Sequence, residues 1–540
     1  MRGEVFVFVV LLIIALVSLL GIVSEVNKQY SIETPAFGGS LREGILDAPR
    51  FINPVLAQSD TDRDLVTLIY TGLLRYDAHG LAKPALAETY EISEDGLEYL
   101  VKLKDKIYWQ DGEAITADDV IFTVSLAKNP QLLSPRRANW EGVDAEKVDE
   151  RAVKFILKKP YAPFLENLTL GIMPKHIWEP IPLSQYSLVG LNTNPIGAGP
   201  YKIKTANKSS VGSISSIRLV SNKYFVFGEP HIKNLELYFY QSEETIVAAL
   251  KNKNIDSAGG LSPKFMDQII NSAAGPEINI KSISLQRIIA LFLNQSLKKE
   301  FASIDVRRAL DAAIDKNLLV KTILVGYGEV INGPLPESVF DGAEAPPKIN
   351  TYNPDLAQSL VSKQKNPVSF TLTTAQTPEL VDAAQLLKEM LVKVGIEVTI
   401  KTFNLSDLEP LVIGPRRYEA FLYGEEVIGQ TPDPFAFWHS SQRAYPGYNI
   451  ALYANSKVDQ MLESVRSTQD PTERAGIYAD IQKEITKDLP AVFLFTPSYI
   501  YITPATLKGV GIENINTGSE RFSTVHEWYL EKHYVWKIFN

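Results

Sequence analysis

Cysteine is absent from all 540 residues. That excludes disulfides, thiolate metal sites, a cysteine nucleophile and the lipid-modified cysteine of a bacterial lipoprotein. It leaves the compartment open, because an exported protein can simply avoid thiols. Basic residues are also in deficit, 54 Lys and Arg against 63 Asp and Glu, for a net charge of -9. A groove for DNA or RNA phosphates needs the opposite excess, so nucleic acid is not an expected partner. Motifs of catalysis are missing too: there is no G-x-S-x-G, no H-E-x-x-H and no Walker A sequence. The six His include no pair three or four apart on which two metal ligands would share a helix face. His526 and His533, with Glu527 and Glu531 between them, read as a solvated amphipathic C-terminal segment rather than a metal cluster. No enzyme activity, metal or cofactor is expected.

Only one long apolar run exists. Val5 to Val23 spans 19 positions, is interrupted by Ser18 and Gly21 alone, and carries no charge. As a helix it would be ~28 Å long, close to the ~30 Å of a bilayer core. A secretory apolar region is usually ~7–15 residues, and Ile22-Val23-Ser24 is a poor cleavage site. An uncleaved anchor is therefore expected ahead of a cleaved signal peptide. The rest of the chain is expected outside the cytoplasm, in the periplasm or at the cell surface.

What remains is globular in composition, 45% hydrophobic and 22% charged, and its length suits two to four domains. Thr89–Ile92, Tyr99–Leu103 and Ile107–Trp109 alternate as strands, with turns at Glu94-Asp95-Gly96 and Asp111-Gly112. Thr116 and Asp119 have the spacing of a capping box, and Pro130 ends the helix that follows. Between Pro367 and Phe403 a βαβ unit is predicted. Val368–Thr373 is β-rich, and Thr377-Pro378-Glu379 starts a helix that Gly395 closes. Ile396–Phe403 returns parallel to the first strand. A further helix opens at Asp470-Pro471-Thr472-Glu473 and stops before Pro490. The fold class is mixed α/β.

Four blocks of sequence carry a resemblance. The first holds Tyr70-Thr71-Gly72-Leu73-Leu74-Arg75-Tyr76-Asp77, Pro84-Ala85-Leu86-Ala87 and Trp109-Gln110-Asp111-Gly112. The second holds Lys159-Pro160-Tyr161-Ala162-Pro163-Phe164 and Pro195-Ile196-Gly197-Ala198-Gly199-Pro200-Tyr201. The third holds Leu293-Asn294, Asp305-Val306-Arg307-Arg308-Ala309-Leu310 and Gly333-Pro334-Leu335-Pro336, and the fourth holds Pro432-Asp433-Pro434 and Leu489-Pro490. In this order the chain resembles the bacterial extracellular solute-binding proteins of family 5, the oligopeptide, dipeptide and nickel group serving ABC importers.

The resemblance implies a two-lobed, periplasmic-binding-protein-like clamshell of class II in its enlarged family-5 form. A linker would occupy residues 24–37, lobe I residues 38–284 plus 498–540, and lobe II residues 285–497. Two strands, Ile288–Leu293 and Phe493–Ile502, would cross between the lobes. The implied function is the extracytoplasmic solute-binding component of an ABC importer. As a monomer, it would enclose a peptide or peptide-like solute and deliver it to permease and ATPase subunits. The alternatives are an exported hydrolase and a membrane-tethered sensor without transport.

Peptide binders of the family often carry an Asp just before the Pro-Asp-Pro motif, which pairs with the peptide's α-ammonium. Aligning on Pro432-Asp433-Pro434 places Gln430 there. A neutral amide supplies no counter-charge. Glu425 or Glu426 could replace the missing acid, or the solute could be neutral and sugar-like. Asp433, Trp438, Tyr445 and Asn449 are further cleft candidates from the same region, and Tyr70 and Trp140 from the N-terminal half.

Overall fold

The run Ala491–Pro504 is apolar or aromatic at most positions and lies buried along nearly its whole length. Such a run suits a central strand, covered on both faces. In the computed structural model, which describes residues 11–19, 21–22, 30–210, 212–272, 277–340, 351–426 and 432–536, it is the seam of the molecule. Its first part pairs antiparallel with Arg287–Leu293 and its second with Ile278–Leu285. These partner strands are consecutive in the chain, separated only by Gln286. The two expected crossings therefore lie side by side, each slightly longer than the sequence suggested.

From this seam the sheet extends both ways. On one side come Ala420–Glu426, Ser369–Ala375 and Glu397–Phe403; on the other Ser257–Gly259, Gly38–Leu46, Ile232–Tyr240, Ile214–Ser221 and Tyr201–Lys208. A separate four-stranded antiparallel sheet is built from Ala87–Ile92, Glu98–Leu103, Ala152–Leu157 and Val143–Asp149. The apolar cores follow the same division. One large cluster draws its buried side chains from Leu41–Ile283 and Tyr501–Trp528. Two others draw only on Ile288–Phe495. Each fully buried Leu, Ile or Phe contributes about 1.5–3 kcal/mol relative to exposure.

Several local expectations hold. Ser369–Ala375 and Glu397–Phe403 are parallel, joined by the helix Pro378–Lys393. Gly395 sits at φ +87°, a left-handed conformation at the helix end that costs a residue with a Cβ more than glycine. The Thr116–Asp119 capping box forms at the start of Ala117–Lys128, and Asp470 caps Pro471–Asp488.

Others need correction. Part of the expected linker is a strand: Ser31–Ala36 pairs antiparallel with Glu531–Trp536, near the other end of the chain. Extended Ile32 and Thr34 favour this conformation, and Lys532 reaches Glu33 at 2.8 Å across the pair. The expected strand Ile107–Trp109 shrinks to a single bridge, Tyr108 to Ala114, since the tight turn at Asp111-Gly112 leaves little length to pair. Residues 11–19 are helical. Among the described residues no helix is long and apolar enough to cross a membrane. Positions 5–10, 20 and 23 of the expected span lie outside the described residues.

Candidate functional site

Helix Asp60–Ile69 begins where Ser59 and Asp62 form a reciprocal capping box. Asp62 also accepts the N–H groups of Arg50 and Phe51 at 2.7 and 2.9 Å, which fixes the entering chain. The helix ends at Tyr70, whose N–H donates to the Val66 carbonyl. Two glycines then allow close packing. A Cβ on Gly72 would lie 2.6 Å from the Thr169 carbonyl oxygen, and one on Gly171 would lie 2.8 Å from Tyr70 Cβ. Residues 70–74 and 168–172 thus run together, joined by Ile172 N–H to Thr71 O and Leu74 N–H to Leu168 O, both at 3.0 Å.

The C-terminal stretch closes the third side. The Arg521 guanidinium donates to both Asp64 oxygens at 2.6 and 2.7 Å and to Glu43 Oε1 at 2.9 Å, all fully buried. Tyr501 adds its hydroxyl to Glu43 at 2.8 Å. Arg75 donates to the carbonyls of Phe522 and Ser523 at 2.9 Å. These bonds hold Ser519 and Glu520 against the helix.

Between the three walls lies a cavity of about 180 Å³, several times the ~30 Å³ that one water occupies in the liquid. Tyr70, Thr71 and Arg63 line it, and their Oη, Oγ1 and Nε atoms are buried with no hydrogen-bond partner. Buried polar groups are ordinarily paired, and each orphan costs about 1–3 kcal/mol. Glu166 accepts the Tyr76 hydroxyl at 2.5 Å on one wall. On another, Glu520 accepts the Asn516 N–H, the Asn516 amide and the Thr517 hydroxyl at 2.9–3.3 Å. Burial raises the Glu520 carboxyl to about 7; Asn516 and Thr517 oppose the rise and the nearby Glu166 charge adds to it. Burial likewise pushes the Tyr70 phenol far above its ordinary range.

The cavity lies near the second set of cores. Tyr161 Oη donates to Asp433 at 3.3 Å and the Ala162 N–H donates to the Arg466 carbonyl at 2.7 Å. Arg466 grips both Asp433 oxygens and stacks 3.8 Å over Phe435. Burial holds the Tyr478 phenol above its usual range, opposed by Arg474 and reinforced by Asp433 and Glu166. Glu166, on the cavity wall, therefore sits within electrostatic reach of Tyr478.

Of the residues expected from sequence, Tyr70 and Trp140 both line this cavity. Trp140 also packs edge-on against Phe164 at 5.7 Å. The structure places three others away from this cavity. Trp438 is 1% exposed, wedged among Phe292, Tyr453 and Phe493, and is a core residue. Asn449 is fully buried and spends its amide on His439 O, Tyr453 O and Tyr453 N–H, bracing its own loop. Tyr445 is 63% exposed on that loop and does not line this cavity. Asp433 already has its charge matched by Arg466. The backbone of Glu425 and Glu426 pairs with Ile288 and Arg287 at the end of a strand. Gln430 lies outside the described residues.

Sequence reasoning missed Glu166, Ser519 and Glu520 as wall residues. Thr71 stood inside the first quoted block, and its place beside the Tyr70–Gly72 pair was the available signal. Nothing local marked Glu520.

The model of the bacterial extracellular solute-binding proteins, family 5, matches residues 82–448. The chain belongs to this family. It is thus the solute-binding component of an ABC importer and acts outside the cytoplasm. The oligopeptide-binding protein AppA of Bacillus subtilis (strain 168) is 27% identical over 534 residues, covering 94% of this chain and 95% of that protein. The glutathione-binding protein GsiB of Pectobacterium atrosepticum is 26% identical, covering 85% and 88%. The solved structure of B. subtilis AppA with a nonapeptide superposes with a TM-score of 0.71 at 25% identity, covering 92% of this chain and all of that one. CtaP of Listeria monocytogenes gives a TM-score of 0.80 at 24% identity over 92% of this chain, a likeness of fold. Members of the family are binding proteins.

Proposed function

We propose that this chain encloses a peptide or peptide-like solute between two lobes, residues 38–284 with 498–540 and residues 285–497, and hands it to the importer's permease and ATPase. The observation that carries solute binding is the cavity on the first of these lobes, lined by Tyr70 and Thr71, whose buried hydroxyls lack partners. A solute with amide and carbonyl groups would satisfy both. Tyr70 and Trp140 form its first wall.

Thermal melting with a pool of short peptides tests this. At ~100 times Kd, a ligand bound only by the folded protein adds ~2.7 kcal/mol of stability. Peptides recovered intact with a raised melting temperature support the reading, and cleaved peptides would favour a hydrolase. Tethering through residues 5–23 belongs to the same proposal. Intact mass should include the residues before Ser24, and alkaline carbonate should leave the protein in the membrane fraction. A mature N-terminus near Glu25 would remove the tether.

A further inference from the structure

Among the described residues of 30–284 and 498–536, the exposed aromatic side chains are Tyr30, Phe37, Tyr224, Phe227 and Tyr534. They gather at one end. Strand Ser31–Ala36 buries Ala36 and leaves Glu33 and Pro35 exposed, so Phe37 continues its outward face. Tyr534 stands opposite Glu33 in the partner strand. Beyond this two-stranded ribbon the Phe37 ring lies 4.9 Å from His231. The His231 N–H donates to the His526 carbonyl at 3.5 Å, and the His526 ring stacks on Phe227 at 5.4 Å. Phe225, 5.6 Å from Phe227, follows Tyr224 directly. Four of the exposed rings carry a lysine ammonium: Lys233 over Phe37 at 4.7 Å, Lys104 over Phe227 at 4.9 Å, Lys223 over Tyr224 at 4.7 Å and Lys532 over Tyr534 at 5.6 Å. Single exposed apolar residues are ordinary, but a connected set marks an interaction surface.

We infer that this face lies against the bilayer surface, with its rings at the level of the lipid headgroups. The inference rests on the tether proposed above through residues 5–23. Ser31 follows Val23 by eight residues, which is at most ~28 Å of chain. The tether alone therefore keeps the ribbon near the membrane, and the aromatic face continues from the ribbon. The chemistry agrees. Aromatic rings with lysine stems beside them combine an apolar body with a polar tip, the composition that suits a membrane–water interface. Net charge does not drive the contact. Glu33 and Glu229 pair with Lys532 and Lys233 at 2.8 and 2.6 Å, and Glu527 and Glu531 belong to the same segments. The contact should thus survive raised salt, unlike the attraction of a bare basic patch to anionic lipid. Its consequence is orientation: the first lobe is held in one pose on the membrane instead of tumbling on its tether.

The chain has no cysteine, so one substitution places a single nitroxide label in the full-length protein. Phe37→Cys, Phe227→Cys and Tyr534→Cys probe the face, and Leu188→Cys, 81% exposed in the same lobe, is the control. Each labelled protein is inserted into vesicles of phosphatidylethanolamine and phosphatidylglycerol. Electron paramagnetic resonance then reads collisions with oxygen, which concentrates in lipid, and with a water-soluble nickel chelate. At the three face positions nickel collisions should fall severalfold relative to Leu188 and oxygen collisions should rise, at low and high salt alike. If one variant fails to fold, the other two labels decide by the same readout. A label at Pro35, exposed on the same strand face, should lose lipid contact in a Phe37→Ser, Phe227→Ser, Tyr534→Ser background; contact kept there overturns the role of the rings. Three labels as open to nickel as Leu188, in protein that stays with the vesicles through alkaline carbonate, overturn the inference and leave the tether standing. Spin–spin broadening without lipid contact assigns the face to a second copy of the chain and overturns it as well. Protein released by carbonate overturns both the tether and the inference, while solute binding stands on its own test.

Discussion

At the scale of single residues, a functional polar group can be told from a structural one by what its removal does to stability. Tyr70 Oη is buried and unpaired, so Tyr70→Phe removes a desolvated group that has no bond to lose. Melting should show equal or higher stability and binding should be weaker; a clear loss of stability would assign the hydroxyl a structural bond. Glu520 gives a pH signature. Its carboxyl is raised to about 7 from an ordinary 4.5. Between those values the folded chain holds a proton that the unfolded chain has released. Stability from this group is therefore greatest below about 4.5 and declines as pH rises toward about 7. Glu520→Gln should gain on wild type in melting temperature across that window. A difference that stays flat with pH would contradict the half-buried carboxyl's raised pKa. Tyr70 opens the first quoted block, whereas Trp140 is the only aromatic between Phe122 and Phe155. Trp438 was equally aromatic, and its burial among Phe292, Tyr453 and Phe493 depends on three distant segments. Residue type alone does not separate a wall from a core.

At the scale of elements, local chemistry predicts local structure. The βαβ unit was legible because Pro378, the apolar stripe through Leu387 and Leu391, and Gly395 all state the same helix. The crossing strands were legible through the family resemblance, with the aromatic run from Phe493 to Tyr501 in support. The docking of the C-terminal stretch was not, because Arg521 meets Asp64 and Glu43 across 457 and 478 residues of sequence. The Ser31–Ala36 strand escaped notice for the same reason, its partner lying about 500 residues away by the Glu33–Lys532 separation of 499. Arg521 should be the residue on which the third cavity wall depends. Arg521→Leu leaves two buried carboxylates unpaired and should cost about 3–5 kcal/mol in denaturant unfolding. A loss below about 1 kcal/mol would show that the tail is held by its apolar contacts, Phe522 and Trp528, instead.

At the scale of the whole molecule, the two core regions share one sheet through a pair of adjacent strands and meet again at Tyr161, Asp433 and Arg466. Such a join permits hinge closure about the seam on a μs–ms timescale. Asp433→Asn removes the counter-charge of Arg466 and should shift the unliganded protein toward an open form. Small-angle scattering should then report a larger radius of gyration, with weaker solute binding. Unchanged scattering and affinity would show that the contact does not control closure. The central claim, that the protein captures a small solute and leaves it chemically intact, is tested most directly by native mass spectrometry of the freshly purified chain. The account predicts one retained small molecule per chain, of peptide mass, released unaltered on partial unfolding and replaceable from a peptide pool. A chain that carries nothing and takes up nothing, or that returns the peptides cleaved, would contradict it.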